Sequence, residues 1–152
     1  MSAAAGDKPI RLAVFSTPEH LPIVRAAVER ICELIGFDAE HVTRVVLSVD
    51  EAMTNIIRHA YDGAGDRQID VELAAVGEQG CQRLRIRIRD YGRPVDPNTI
   101  RPRDLSDLRP GGLGVHIMSE CMDTVEYKQA EGGGTMLTMV KRLPPADGGS
   151  AG

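Results

Sequence analysis

The amino-acid sequence is 152 residues long, the usual length of a single domain. Hydrophobic residues make up 42%, charged residues 26% and aromatic residues only 3%, a composition typical of a globular protein with an aliphatic core. The net charge of −4 and the pI near 5.5 argue against an electrostatic attraction to nucleic acid. DNA and RNA are therefore not expected as partners.

The cysteines and the chain ends exclude further classes of protein. Cys32, Cys81 and Cys121 are far apart and form no CxxC pair, so neither a disulfide framework nor a zinc site is predicted. No stretch resembles a signal sequence or reaches the roughly 18 to 20 apolar residues that a membrane span requires. We therefore expect a cytoplasmic protein without membrane contact. Small and polar residues at 1–9 and 144–152 predict flexible ends around one domain at 10–143.

The first half of the domain is predicted to contain one strand and two helices. The strand is expected at Ile10–Ser16, and the first helix over Pro18–Ile35, where Pro18 suits the first turn and Gly36 the end. Asp38 is a candidate N-cap for the second helix. Apolar residues at helical spacing predict the buried faces: Leu21, Val24, Val28, Ile31 and Leu34 in the first helix, and Val42, Val45, Val46, Val49, Met53, Ile56, Ile57 and Ala60 in the second.

Two alternating segments follow and predict a hairpin. Gln68–Val76 and Gln82–Arg89 are separated by a glycine-bounded loop at 77–80. Arginines occupy every second position of the second strand, and Asp70 and Glu72 occupy the matching face of the first. Cross-strand pairing on a solvated sheet face explains this arginine row better than a nucleic-acid site.

The last third is predicted to contain a loop, a helix and two strands. A Pro- and Arg-rich loop spans 93–110, a helix is expected at about Gly112–Met122, and strands at Thr124–Gln129 and Thr135–Arg142. The order of elements predicts the α+β class, a two-layer sandwich with helices on one face of a mixed, mainly antiparallel sheet.

Three polar clusters occur in this framework. In the second helix, Glu51, Asn55 and His59 are spaced at steps of four and project along one stripe. The amide oxygen of Asn55 is a hard ligand suited to Mg²⁺, and Glu51 lies one turn earlier, within reach of a hydroxyl beside such a metal. Isolated, the same pair would be read as solvated helix residues. His59 is expected to pack or hydrogen-bond near the helix end.

The second cluster ends a strand, and the third begins a helix. The Asp90 carboxylate can accept a hydrogen bond from an adenine amino group beside Gly92, or it can simply form a turn. Gly111, Gly112 and Gly114 leave backbone N–H groups at a helix start, where phosphate oxygens bind, although a tightly packed loop would look the same. Arg109 is a candidate for charge compensation at the terminal phosphate.

Taken in this order, the motifs resemble those of the GHKL superfamily of ATP-binding domains, also called the Bergerat fold, and in particular its small anti-sigma factor serine kinases. In that family an ExxxN helix precedes DxGxx at a strand end and a GxG loop that opens a helix. Here these stand as Glu51 to Asn55, Asp90 to Gly92, and Gly112 to Gly114, and Gly134-Thr135 follows on a late strand. The match covers nearly the whole domain, and four motifs in order are far more specific than any one.

The resemblance implies a role for each residue. Glu51 would be the catalytic carboxylate, Asn55 the Mg²⁺ ligand, and Asp90 the adenine acceptor supported by Gly92 and Thr135. The loop Gly111–Gly114, including Leu113, would surround the ATP phosphates near Arg109, although Pro110 and an extra glycine displace that arginine from the family position. Pro94 or Arg93 likewise replaces the family's second glycine.

The same resemblance implies partners. A protein serine kinase of this type binds a sigma factor, phosphorylates a small anti-anti-sigma protein of the STAS type, and acts as a homodimer. Two alternatives remain open on the residues: a regulatory module that binds ATP and a protein partner without transferring phosphate, and a similar core that binds no nucleotide.

Overall fold

The computed structural model of the protein describes residues 8–78, 81–92 and 117–145. Two helices and five strands account for most of them. The helices are α1 (Leu21–Ile35) and α2 (Ala39–Asn55), and the strands are β1 (Ile10–Phe15), β2 (Gln68–Glu78), β3 (Cys81–Asp90), β4 (Thr124–Gln129) and β5 (Thr135–Arg142). A 3-10 turn at Pro18–His20 leads into α1, a π-helical turn at Ile56–Ala60 continues α2, and residues 117–121 are helical.

The boundaries of α1 follow from its sequence, but its buried face differs from the prediction at one position. Gly36 ends the helix with φ of 115°, a conformation that glycine adopts without steric cost, and its N–H donates to the Cys32 carbonyl at 3.0 Å. Val24, Val28, Ile31 and Cys32 are buried, whereas Leu34 is 67% exposed. The prediction for Leu34 was wrong because the buried stripe steps by four from Ile31 to Ile35.

Helix α2 begins as predicted and ends differently. The Asp38 carboxylate accepts the His41 backbone N–H at 2.8 Å and so satisfies a donor at the helix start. The α-helical hydrogen bonds stop at Asn55, and the N–H of Tyr61 then donates to the Ile56 carbonyl at 3.0 Å, five residues back. Apolar periodicity extends to Ala60, so it did not reveal this change in helix type.

The described strands form one sheet in the order β1-β2-β3-β5-β4. Each of the four neighbouring pairs is antiparallel. The predicted α+β class is confirmed, and the sheet, predicted as mixed and mainly antiparallel, has antiparallel pairing throughout the described strands. Strands β3 and β4 run in the same direction, but β5 lies between them, so no parallel pair forms.

The sheet has one buried and one open face. Side chains on the buried face pack against α1 and α2 in an aliphatic core that includes Leu73, Leu84, Ile86, Ile88 and Met139. On the open face, Glu72 lies 3.2 Å from Arg11, 3.8 Å from Arg85 and 3.6 Å from Arg87. The predicted pairing of the arginine row with carboxylates is therefore present, and each such partly exposed pair contributes at most about 1 kcal/mol.

None of the helices within the described ranges is long and apolar enough to cross a membrane. The predicted loop at 93–110 lies outside the described residues, as does most of the predicted helix Gly112–Met122. Residues 117–121 agree with that helix.

Candidate nucleotide site

Three separate elements meet at one cavity between the helix layer and the sheet. Asn55 comes from the end of α2, Asp90 from the end of β3 and Thr135 from the start of β5. His59 lies at the exposed rim. Apolar and aromatic side chains form the remaining lining, namely those of Ala52, Ile56, Ile88, Tyr127 and Leu137. Small-molecule sites are commonly apolar cavities in which a few polar groups fix the orientation of the ligand.

Asn55 is a buried polar residue of the cavity lining. Its side chain is 7% exposed, and neither the oxygen nor the nitrogen of its amide has a hydrogen-bond partner within the described ranges. Leaving a buried polar group unpaired costs about 1 to 3 kcal/mol, so a ligand is the expected partner.

Asn55 also fits the Mg²⁺ that ATP-using sites of this kind require. A free amide oxygen is a hard donor, and Mg²⁺ commonly takes one or two protein oxygens and completes its shell with phosphate oxygens and water. The described residues contain no group of three or more His, Cys, Asp or Glu side chains arranged to hold a metal. A metal at Asn55 would therefore depend on the nucleotide for its other ligands.

The π-helical turn starts immediately after Asn55. Such turns are rare and often occur at functional sites, because one extra residue in the turn redirects the side chains around it. Here the turn brings Ile56 and His59 to the cavity and places Tyr61 beneath the end of β3.

Glu51 lies one helical turn before Asn55 and is half buried. Burial raises the pKa of its carboxyl group, the neighbouring Asp50 raises this pKa further, and Arg58 opposes both. Asp50 itself is held by Arg25, whose Nε donates to both carboxylate oxygens at 2.8 and 2.9 Å. Glu51 is not among the residues that line the cavity, whereas Ala52 and Asn55, which follow it in α2, do line it.

Asp90 is 2% exposed. Burial raises the pKa of its carboxyl group, while backbone N–H donors of Gly92, at 3.0 Å, and of Thr135 lower it. Two backbone donors leave further lone pairs on a carboxylate, which can accept a hydrogen bond from an amino group in the cavity. This is the chemistry predicted for adenine recognition.

The two glycines beside Asp90 are required by packing. A Cβ on Gly92 would overlap the Ala60 carbonyl oxygen and lie 2.9 Å from the Tyr61 ring, so this glycine makes room for the end of the helical segment. Gly134 has φ of 81°, and a Cβ there would overlap the carbonyl oxygen of Asp90. Gly134 therefore allows β5 to approach Asp90.

Sequence reasoning missed several residues of the site. Tyr127 lines the cavity from β4, where burial and the nearby Asp90 carboxylate raise the pKa of its hydroxyl. Ile88 and Leu137 occupy the buried face of their strands, a pattern that predicts core residues but not a ligand cavity. Tyr61 lies two residues after His59, and no sequence signal indicated that it would be buried against the end of β3.

The predicted phosphate loop lies outside the described residues. Gly111, Gly112, Leu113 and Gly114 belong to it, together with Arg109 and the departures at Arg93 and Pro94. Their roles remain predictions.

Comparison with known proteins now identifies the class. The model of the histidine kinase-like ATPase domain family matches residues 14–141. The chain belongs to this family.

Curated relatives narrow the identification to serine-protein kinases of the RsbW type. The RsbW of Halalkalibacterium halodurans is 30% identical over 142 residues, which cover 88% of this chain and 83% of that protein. The RsbW of Listeria monocytogenes is 31% identical over 144 residues, covering 90% and 88%. The prediction of a serine-protein kinase in this family is confirmed.

Solved structures agree on the fold. The RsbU and RsbW domains of a Mycobacterium tuberculosis protein match with a TM-score of 0.63 and 18% identity, over 91% of this chain and 34% of that chain. The SiaB–SiaC complex from Pseudomonas aeruginosa matches with a TM-score of 0.58 and 14% identity, over 88% of each chain.

Proposed function

We propose that the protein is an ATP-dependent serine kinase that acts as an anti-sigma factor. It transfers the terminal phosphate of ATP to a serine of a small anti-anti-sigma protein of the STAS type and sequesters a sigma factor. The observation that carries the ATP site is the cavity where the Asn55 amide, which has no hydrogen-bond partner among the described residues, faces the same space as the buried carboxylate of Asp90.

The proposed nucleotide orientation follows from these two groups. The adenine ring lies between the apolar walls and donates its amino N–H to Asp90, with Thr135 beside it. The phosphates then point along α2 toward Asn55 and the preceding helical turn, which holds Glu51. Mg²⁺ held by Asn55 would neutralise phosphate charge when bound. The loop Gly111–Gly114 and Arg109 are proposed to contact the phosphates.

Glu51 is proposed as the catalytic carboxylate. The acceptor serine oxygen forms a bond to the terminal phosphorus while the bond to the bridging oxygen breaks and ADP leaves. The serine proton passes to Glu51. The carboxylate must be ionised for this step, and Arg58 nearby favours the ionised form.

The partners and the homodimer are part of the same proposal. The SiaB–SiaC structure is a complex between a protein of this fold and another protein. Strand β1 forms the outer edge of the described sheet and exposes Ile10 and Phe15 by 46% and 48%. An apolar sheet edge of this kind suits association with a second copy of the chain. Sedimentation analysis of the purified protein would measure whether its mass in solution is that of a dimer.

Two carboxyl-to-amide variants test the assignment. We expect Asp90→Asn to weaken Mg²⁺-dependent ATP binding by about 10- to 100-fold, because a charge-assisted hydrogen bond to adenine is lost. We expect Glu51→Gln to bind ATP within about threefold of the wild type but to transfer phosphate at least about 100-fold more slowly. Calorimetry measures binding, and labelled ATP with an anti-anti-sigma protein of the same organism measures transfer.

Glu33→Gln is the matched control, because Glu33 is a 57% exposed carboxylate on α1 whose ion pair among the described residues is with Arg30 in the same helix. One observation favours a second candidate function: Glu51 does not line the cavity. A wild type that binds ATP but transfers no phosphate would support this non-catalytic regulatory module, and a well-folded wild type that binds no ATP would contradict both functions.

A further inference from the structure

Tyr61 joins two strands at the edge of the cavity. Its side chain is only 4% exposed, and its hydroxyl donates to the Gln68 carbonyl at 2.5 Å and accepts the Tyr91 backbone N–H at 2.7 Å. Gln68 is the first residue of β2, and Tyr91 follows the last residue of β3. One phenol oxygen therefore connects the start of one strand to the end of its neighbour.

The position of this hydroxyl in the sheet is informative. Ile69 opposite Asp90 is the last pair between β2 and β3, and the next pair in register would be Gln68 opposite Tyr91. The hydroxyl lies between the carbonyl and the N–H of that next pair. It holds the two backbones apart just where the chain leaves the sheet, one residue after Asp90.

The Tyr61 ring also contacts the segment that holds the carboxylate. A Cβ on Gly92 would lie 2.9 Å from this ring, so the backbone at Gly92 rests directly on it. The N–H of Gly92 in turn donates to the Asp90 Oδ1 at 3.0 Å. Tyr61 thus supports both residues that follow Asp90, through its hydroxyl at Tyr91 and through its ring at Gly92.

We propose that Tyr61 is a positioning residue for base recognition: its hydroxyl fixes the backbone after Asp90 and thereby the direction in which the Asp90 carboxylate faces the adenine amino group. This inference rests on the proposed function, which assigns adenine to Asp90. Tyr61 acts only through Asp90, so it affects which base is bound and not the transfer step.

Loss of the hydroxyl has a specific geometric consequence. In Tyr61→Phe the ring still supports Gly92, but the Tyr91 N–H and the Gln68 carbonyl lose their common partner. They then pair with each other or with water, and either outcome moves the residue that precedes Tyr91. In the proposed function the Asp90 carboxylate accepts the hydrogen bond from the adenine amino group. Recognition of the amino group is therefore lost in this variant, while contacts to the rest of the nucleotide are kept.

The test compares ATP with inosine triphosphate, which has a keto group where ATP has the amino group. Calorimetry with Mg²⁺ present measures both affinities for the wild type and for Tyr61→Phe. We expect the wild type to prefer ATP clearly. We expect the variant to bind ATP roughly tenfold more weakly and inosine triphosphate within about twofold of the wild type, because one hydrogen bond is worth about that factor.

Tyr91→Phe is the matched control. It removes a phenol hydroxyl one residue from Asp90, but that hydroxyl bonds Asp70 on the open sheet face and the backbone N–H remains. We expect this control to keep the wild-type preference for ATP. A Tyr61→Phe protein that weakens both nucleotides equally, or neither, would overturn the inference about Tyr61 alone. A wild type that binds the two nucleotides equally would overturn the role of Asp90 as well.

Hydrogen exchange provides a readout that does not depend on the variant. If Tyr61→Phe fails to fold, exchange of the Tyr91 amide is measured in the wild type with and without ATP. We expect this amide to be protected in the free protein and more strongly protected with ATP bound. An amide that exchanges freely, or that ignores ATP, would contradict the inference.

Discussion

Asn55 and Asp90 are polar residues that the fold buries at some cost to its stability. Their side chains are 7% and 2% exposed, and the Asn55 amide has no partner within the described residues. A core selected for stability alone would place apolar side chains at both positions, since burying unpaired polar groups costs free energy. Their burial is understandable if a nucleotide completes their hydrogen bonds and restores that free energy on binding.

The pH dependence of the kinase should report the raised pKa of Glu51. A proton on this carboxylate removes its ability to accept the serine proton, so the transfer rate at saturating ATP should fall as pH falls through the raised pKa. We expect the acid limb of kcat to lie at a higher pH than an ordinary glutamate would give, and to disappear in Glu51→Gln. A pH series of initial rates measures it.

Protonation of Asp90 should affect a different quantity, the affinity for ATP. Burial also raises its pKa, so ATP affinity should fall on acidification as the carboxylate is protonated.

The free energy of unfolding changes with pH in the opposite sense, because the carboxyl groups of Glu51 and Asp90 bind their protons more tightly in the folded protein than in the unfolded chain. The contribution of both carboxyl groups to stability is full below their unfolded pKa and is lost as pH rises through the folded pKa. For the kinetic prediction, an acid limb of kcat that is the same in Glu51→Gln as in the wild type would contradict the assignment of Glu51.

At the scale of elements, the turn between β4 and β5 holds one wall of the site. Gly132, Gly133 and Gly134 all have positive φ. The Arg89 guanidinium donates to the carbonyls of Glu131 at 2.8 Å and Gly133 at 3.1 Å, and so fixes this turn to the end of β3. The arginine row predicted only as a solvated face therefore includes one member that orders the nucleotide site.

Two glycines of this turn allow a matched comparison. Gly133→Ala should cost about 1 to 2 kcal/mol of unfolding free energy, because φ is 107° and nothing lies within 4 Å of the added Cβ. Gly134→Ala should cost at least about 3 kcal/mol, because the Cβ meets the Asp90 backbone in addition to the strain. Urea unfolding measures both, and equal losses would show that β5 can move away from Asp90 without cost.

At the scale of the whole molecule, one aliphatic core joins the helix layer to the sheet. Most of the core side chains are Val, Ile, Leu and Met, in keeping with the 3% aromatic content. The nucleotide cavity lies at one end of this core, so its apolar walls are core residues of α2, β3 and β5. Close packing of the core behind these walls fixes their positions.

Two leucines test where this core lies. Leu73 is 0% exposed in β2, and Leu34 is 67% exposed in α1. Leu73→Ala should lower the unfolding free energy by about 2 to 5 kcal/mol through lost burial and the cavity that remains. Leu34→Ala should change it by no more than about 0.5 kcal/mol. Urea unfolding of both variants checks this, and a large loss in Leu34→Ala would indicate that another chain covers that face of α1.

Several features could be predicted from the sequence because they depend only on local periodicity and local chemistry. Alternation in β3 set the two faces of the sheet, the Asp38 side chain began α2, and the spacing of Glu51 and Asn55 placed both on one side of that helix. These features depend on residues within a few positions of one another, where the geometry of a helix or strand leaves little choice.

Contacts between residues that are distant in the sequence could be seen only in the folded structure. Strand β5 inserts between β3 and β4, and this order brings Thr135 and Gly134 to Asp90. The π-helical turn after Asn55 and the insertion of the Tyr61 hydroxyl between β2 and β3 leave no periodic signal in the sequence. Contacts between residues far apart in the chain depend on packing, and packing is set by the shapes of all the elements together.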